Sequence, residues 1–162
     1  MAVHRVGMAE LKIGGPGDRL EALGLGSCIG LAMVDKVNRV GGMVHIMLPD
    51  SKIVQGPVKQ LGKYADTAVP ELLDQVLRAG AMRERLVVKM AGGAEMFSFA
   101  GSDAPKMAIG KRNTEAVNGF LKEYRLKLSG SDTGGNKGRT FIVSLDELSF
   151  MIRIVGKGEA NL

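Results

Sequence analysis

A chain of 162 residues with 45% apolar and 24% charged side chains holds enough hydrophobic material for one packed domain, which excludes a disordered or fibrous polymer. The net charge of +5 is spread thinly, 9 basic against 8 acidic residues up to position 81 and 13 against 9 beyond it. With no basic run interleaved with aromatics, an acidic protein surface is expected as partner and no nucleic acid.

The longest uncharged stretch, Ala22 to Val34, has 13 residues and three glycines, short of the ~20 apolar residues of a spanning helix, so no membrane insertion is expected. The start MAVHRVG lacks a charged flank followed by an apolar core; no secretory leader is expected, and the expected compartment is the cytoplasm. One cysteine with two histidines makes no disulfide and no Cys-rich zinc site, so no metal is expected. The 23 glycines, about 14% against a usual ~7%, imply tight turns and close backbone approaches among short strands.

In chain order, VHRVGMAELKI reads as one or two strands before the turn Gly14-Gly15-Pro16-Gly17. The run Ile29–Val34 suits a buried strand, and Val40–Leu48, ended by Pro49, suits its hairpin neighbour across a turn at Asp35-Lys36-Val37-Asn38. Apolar residues at three- and four-residue steps from Lys63 to Ala79 predict a helix stopped by Gly80, with Pro70 drawing its start toward Thr67. Leu86–Ala91 predicts a strand ending at Gly92-Gly93. A second helix is expected from Asn113 as N-cap, with Val117, Phe120, Leu121 and Tyr124 on one face. Arg139–Leu145 and Phe150–Val155 predict a closing hairpin, with Phe141, Val143 and Leu145 on one face of its first strand and Phe150, Ile152 and Ile154 on one face of its second. Many strands with two separated helices, lacking strict alternation, indicate a single α+β domain over residues 1–162.

The cysteine lies in Leu23-Gly24-Leu25-Gly26-Ser27-Cys28, a glycine-punctuated loop entering the buried strand. It is neither a dinucleotide fingerprint, because Ile29 stands where the third glycine belongs, nor a nucleophile elbow, because Leu25 stands two places before Ser27. A turn centred between Lys36 and Val37 places Cys28 directly opposite His45. Directly opposed residues have Cβ atoms about 4.5–5.5 Å apart. A whole-residue shift of that turn makes them diagonal neighbours on one face, and a half-residue shift puts them on opposite faces.

Within reach of each other, an imidazole takes the thiol proton and protonates a leaving group, and the N–H groups around Gly26, Ser27 and Cys28 offer an oxyanion hole. That is the equipment of acyl transfer through a thioester. The alternative is that Cys28 is a small buried hydrophobe and His45 a structural residue.

The blocks GLGSC (Gly24–Cys28), HIMLPDS (His45–Ser51), KYADTAVP (Lys63–Pro70), AGGAEMF (Ala91–Phe97), IGKRN (Ile109–Asn113) and DTGGNKGR (Asp132–Arg139) resemble the CheD family of bacterial chemotaxis proteins. The resemblance implies an α+β fold, a β-sandwich flanked by helices and similar to the catalytic domain of cytotoxic necrotizing factor toxins. It implies cofactor-free cysteine hydrolase chemistry on glutamine side chains of the cytoplasmic helices of methyl-accepting chemotaxis receptors, with Cys28 as nucleophile and His45 as general base and acid. CheC, a response-regulator phosphatase, is the further partner it implies, and receptor methylesterase activity is credited to some relatives. One departure stands out: the family's usual threonine six residues before the cysteine is Ala22 here. Either a backbone carbonyl or a side chain such as Glu21, Ser27 or Asp132 orients His45, or turnover is weakened and the chain acts mainly as a regulatory binding module.

Gly26, Ser27, Asn113 and Asp132 are expected to support the site. Gly92, Gly93, Met96 and Phe97 are expected to meet the substrate, glycine because it lets a partner backbone come close. Phe99 extends the proposed apolar patch, and Lys106, Lys111 and Arg112 are expected to face an acidic receptor region.

Overall fold

The computed structural model describes residues 1–96 and 108–162. Its elements are β1 (Val3–Arg5), β2 (Leu11–Gly14), β3 (Arg19–Leu25), β4 (Ile29–Asp35), β5 (Val40–Ile46), α1 (Ala65–Arg78), β6 (Leu86–Gly92), α2 (Ile109–Glu123), β7 (Leu128–Thr133), β8 (Arg139–Ser144), β9 (Ser149–Ile154) and β10 (Gly158–Asn161). They form two five-stranded sheets, ordered β1-β3-β8-β9-β10 and β2-β5-β4-β6-β7.

Strand β4 shows why the layers stack as they do. All seven of its residues are buried, which a strand achieves only when both faces are covered. Ile29, Leu31 and Met33 join one core with α1 and α2, while Ala32 and Val34 join the other core with Leu20, Phe141 and Val143 of the opposite sheet. The result is an α+β arrangement of sheet, sheet and helices, with the two described α-helices on one side. Phe141, Val143, Leu145, Phe150 and Ile152 all line the inter-sheet core, the face that their alternation assigned to them.

The structure moves several boundaries. Helix α1 starts at Ala65 with Pro70 inside it. Pro70 withholds an N–H and crowds the turn before it, and that turn is held from outside. The Ala65 N–H donates to the Leu48 carbonyl at 2.9 Å, and the Asp66 carboxylate accepts from Ser51 N–H and Oγ at 3.0 and 2.6 Å. Gly80, at φ 113°, stops the helix as expected.

Helix α2 begins at Ile109, four residues before Asn113, so Asn113 is a buried helical residue and no cap. The distant Glu95 carboxylate instead takes the first-turn Lys111 N–H at 2.8 Å. Strand β3 alternates polar and apolar only from Arg19 to Ala22 before Leu23 breaks the pattern. It becomes a strand through parallel pairing with β1 and antiparallel pairing with β8.

Candidate active site

Cys28 sits just before β4 and His45 near the end of β5, so the hairpin between these strands decides whether they meet. Its turn is centred between Val37 and Asn38, one whole residue later than the spacing suggested, and Gly30, not Cys28, stands opposite His45. The displacement has a cause. Asp35 closes β4, is fully buried, and accepts the N–H groups of Val37 and Asn38 at 2.9 and 3.0 Å and of Met82 at 2.9 Å. Those bonds wind residues 36–39 into the turn and start β5 at Val40.

A whole-residue shift keeps side-chain parity. Cys28 packs against the inter-sheet core, and His45 has the parity of Met43, which faces that core. The two are diagonal neighbours on one face. They line the same cleft, of about 590 Å³, whose walls include Gly26, Ser27, Glu95 and Met96.

His45 is 5% exposed, and its Nδ1 lies 3.0 Å from the Val6 carbonyl oxygen. A carbonyl only accepts, so Nδ1 carries the proton and donates, which leaves Nε2 with its lone pair in the neutral ring. The backbone of the same segment holds the strand around the ring: His45 N–H donates to the Glu10 carbonyl at 3.0 Å, and Ala9 N–H to the His45 carbonyl at 2.9 Å. Ala22 is fully buried in the inter-sheet core. Of the orienting groups considered from sequence, it is a backbone carbonyl, that of Val6, that bonds the imidazole.

The loop before Cys28 is fastened through its carbonyls. Gly26 C=O accepts from Ala94 N–H at 2.8 Å, Ser27 C=O from Asn113 Nδ2 at 2.9 Å, and Cys28 C=O from Gly93 N–H at 3.0 Å. Among the described residues, the N–H groups of Gly26, Ser27 and Cys28 have no backbone or side-chain acceptor. Burial pushes the Cys28 thiol above its ordinary pKa. Burial also pushes the His45 imidazole below its own, outweighing the Val6 hydrogen bond and the Glu10 charge, which raise it.

The other expected site residues divide. Met96 lines the cleft, 46% exposed. Gly92 and Gly93 do not line it; the backbone that comes close to them is the chain's own. A Cβ on Gly92, at φ 119°, would lie 2.1 Å from the Cys28 carbonyl oxygen, and one on Gly93 would lie 2.3 Å from Thr114 Oγ1. Asp132 is away from the cleft lining and pairs with the buried Arg139 guanidinium. Asn113 lies beneath the loop. Phe97, Phe99 and Lys106 are outside the described residues. Val6, Met8 and Glu10 were not expected at the site; a main-chain acceptor leaves no trace in residue type.

A family model described as CheD chemotactic sensory transduction matches residues 47–154. The chain is 45% identical over 161 residues, 99% of its length and 97% of the relative's, to a probable chemoreceptor glutamine deamidase CheD of Symbiobacterium thermophilum. It is 44% identical over 160 residues, 99% and 98% of the two lengths, to the chemoreceptor glutamine deamidase CheD of Halalkalibacterium halodurans. A probable chemoreceptor glutamine deamidase CheD of Methanococcus vannielii is 42% identical over 151 residues, 93% and 94% of the two lengths.

Proposed function

Because the chain belongs to the CheD family, we propose that it is a protein-glutamine deamidase that converts selected glutamine side chains of chemoreceptors to glutamate through a cysteine thioester. One observation carries the mechanism: Cys28 and His45 lie on one face and share one cleft, with Val6 reserving Nε2 as the base.

Cys28 Sγ attacks the amide carbon while His45 Nε2 takes the thiol proton. The same nitrogen passes that proton to the amide nitrogen, the C–N bond breaks, and ammonia leaves a thioester behind. Water, deprotonated by Nε2, attacks the thioester and releases glutamate and the thiol. The N–H groups of the Gly26–Cys28 loop, without an acceptor among the described residues, serve the oxyanion of each tetrahedral stage, since their carbonyls are already turned to Ala94, Asn113 and Gly93. Met8, Leu23 and Met96, exposed at 63%, 45% and 46%, give the cleft an apolar rim suited to the aliphatic part of a glutamine and the helix that carries it.

The test is to incubate the protein with a receptor cytoplasmic fragment and follow glutamine-to-glutamate conversion residue by residue by peptide mass spectrometry. Conversion should stop in Cys28→Ala and fall at least ~10²-fold in His45→Ala, with receptor binding retained in both. Full conversion by Cys28→Ala would exclude the thioester route. Binding by the unaltered protein without any conversion would make it a binding module.

A further inference from the structure

One buried side chain beneath the loop is absent from the cleft lining yet bonds both sides of it. Asn113, fully buried on α2, places Nδ2 2.9 Å from the Ser27 carbonyl oxygen and 2.9 Å from the Met47 carbonyl oxygen. Two carbonyl acceptors define which end of the amide is nitrogen, because an amide oxygen cannot bond either. Both N–H donors of the amide are thereby committed, one to each side of the hairpin mouth. Ser27 immediately precedes the thiol, and Met47 lies two residues beyond the imidazole. They belong to segments that strand pairing no longer holds, since the β4–β5 ladder ends at Ile29 and Ile46.

We propose that Asn113 is a positioning residue: its amide ties the nucleophile loop to the end of β5 and so sets the reach between Cys28 and His45. The inference rests on reading Cys28 and His45 as a reacting pair. Its other atom supports it. Asn113 Oδ1 is buried without a partner among the described residues, a cost that an apolar side chain would avoid, so the residue is matched to its two carbonyls and not to its surroundings as a whole. Because Cys28 and His45 are diagonal and not directly opposed, their alignment depends on where the loop sits just beyond the ladder. A displacement of about 1 Å at such a point is enough to cost on the order of 10²-fold in rate.

The experiment is a double-mutant cycle on iodoacetamide alkylation of Cys28 at neutral pH, using the full chain as parent, His45→Ala, Asn113→Ala and the double variant. Each single change should slow alkylation ~10-fold or more, and the double variant should react no more slowly than His45→Ala. Asn113→Asp, which keeps the shape but replaces the donor with an acceptor, should reproduce the loss and serves if Asn113→Ala does not fold. Multiplying losses in the double variant, an Asn113 variant that reacts like the parent when folded, or a parent indifferent to His45→Ala would each overturn the proposal. Receptor deamidation followed in parallel separates the two ideas. A parent whose thiol depends on both residues but deamidates no receptor keeps Asn113 in its role and removes the deamidase.

Discussion

In the proposed mechanism Cys28 and His45 start as neutral partners. Burial raises the thiol and lowers the imidazole, so both shifts oppose a resting thiolate–imidazolium pair. On that mechanism the proton moves during attack. Cys28 alkylation measured against pH should show a main rise above the ordinary thiol range, preceded by a lower shoulder through neutral pH. The shoulder should persist below the ordinary imidazole pKa and vanish in His45→Ala, while the main rise remains. A profile already at its maximum near neutrality would mean that a preformed ion pair exists. Glycine spacing and hairpin parity single out the side chains of the candidate site. The Val6 carbonyl was not, because any residue type supplies one, and what makes it a ligand of Nδ1 is the return of the N-terminal segment over β5.

At the scale of the element, the β4–β5 hairpin is set by Asp35. Burial alone would raise its carboxyl, but the Met82, Asn38 and Val37 N–H groups and the Arg85 charge together hold it below its ordinary value. Asp35→Ala strips a buried charged acceptor from three donors and should cost about 2–4 kcal/mol in urea unfolding. It should also loosen the turn that sets the register, so the folded fraction should lose His45-dependent alkylation of Cys28. Stability unchanged within about 0.5 kcal/mol would remove Asp35 from this role.

The hairpin itself was visible in two apolar runs, and parity survived the one-residue error in its turn because side chains repeat every two residues. The turn's location was not visible, since Met82 comes to Asp35 from 47 positions away. At Gly92 and Gly93 the missing Cβ matters, but the chain that uses the space is the Cys28 loop and the start of α2.

On the scale of the whole molecule, the site lies at one end of the sandwich, and pH reaches both site and scaffold. His45 is depressed in the folded state, so the unfolded chain takes up its proton first and stability falls as pH drops through the ordinary imidazole range. Asp18, held at about 2 by N–H donation from Gly15 and Ala2 and by His4, and the buried Asp35 act differently. Their stabilisation is present above the ordinary carboxylate pKa and is lost as pH falls through their folded values. Urea unfolding from pH 8 to pH 2 should therefore lose stability in two separate stages. His45→Gln should abolish the upper stage and leave the lower one; a single stage common to both proteins would contradict this assignment.

Local pattern alone determined the strands of alternating and continuous apolar residues, the two described helices, and the placing of one thiol and one imidazole along neighbouring runs of a hairpin, because side-chain periodicity and turn chemistry act within a few residues. Only the tertiary structure decided the register, the place of β3, the cap on α2, the carbonyl behind His45 and the amide beneath Ser27. Each of these depends on hydrogen-bond partners brought from distant parts of the chain, and such partners are selected by packing, which no short window of residues contains.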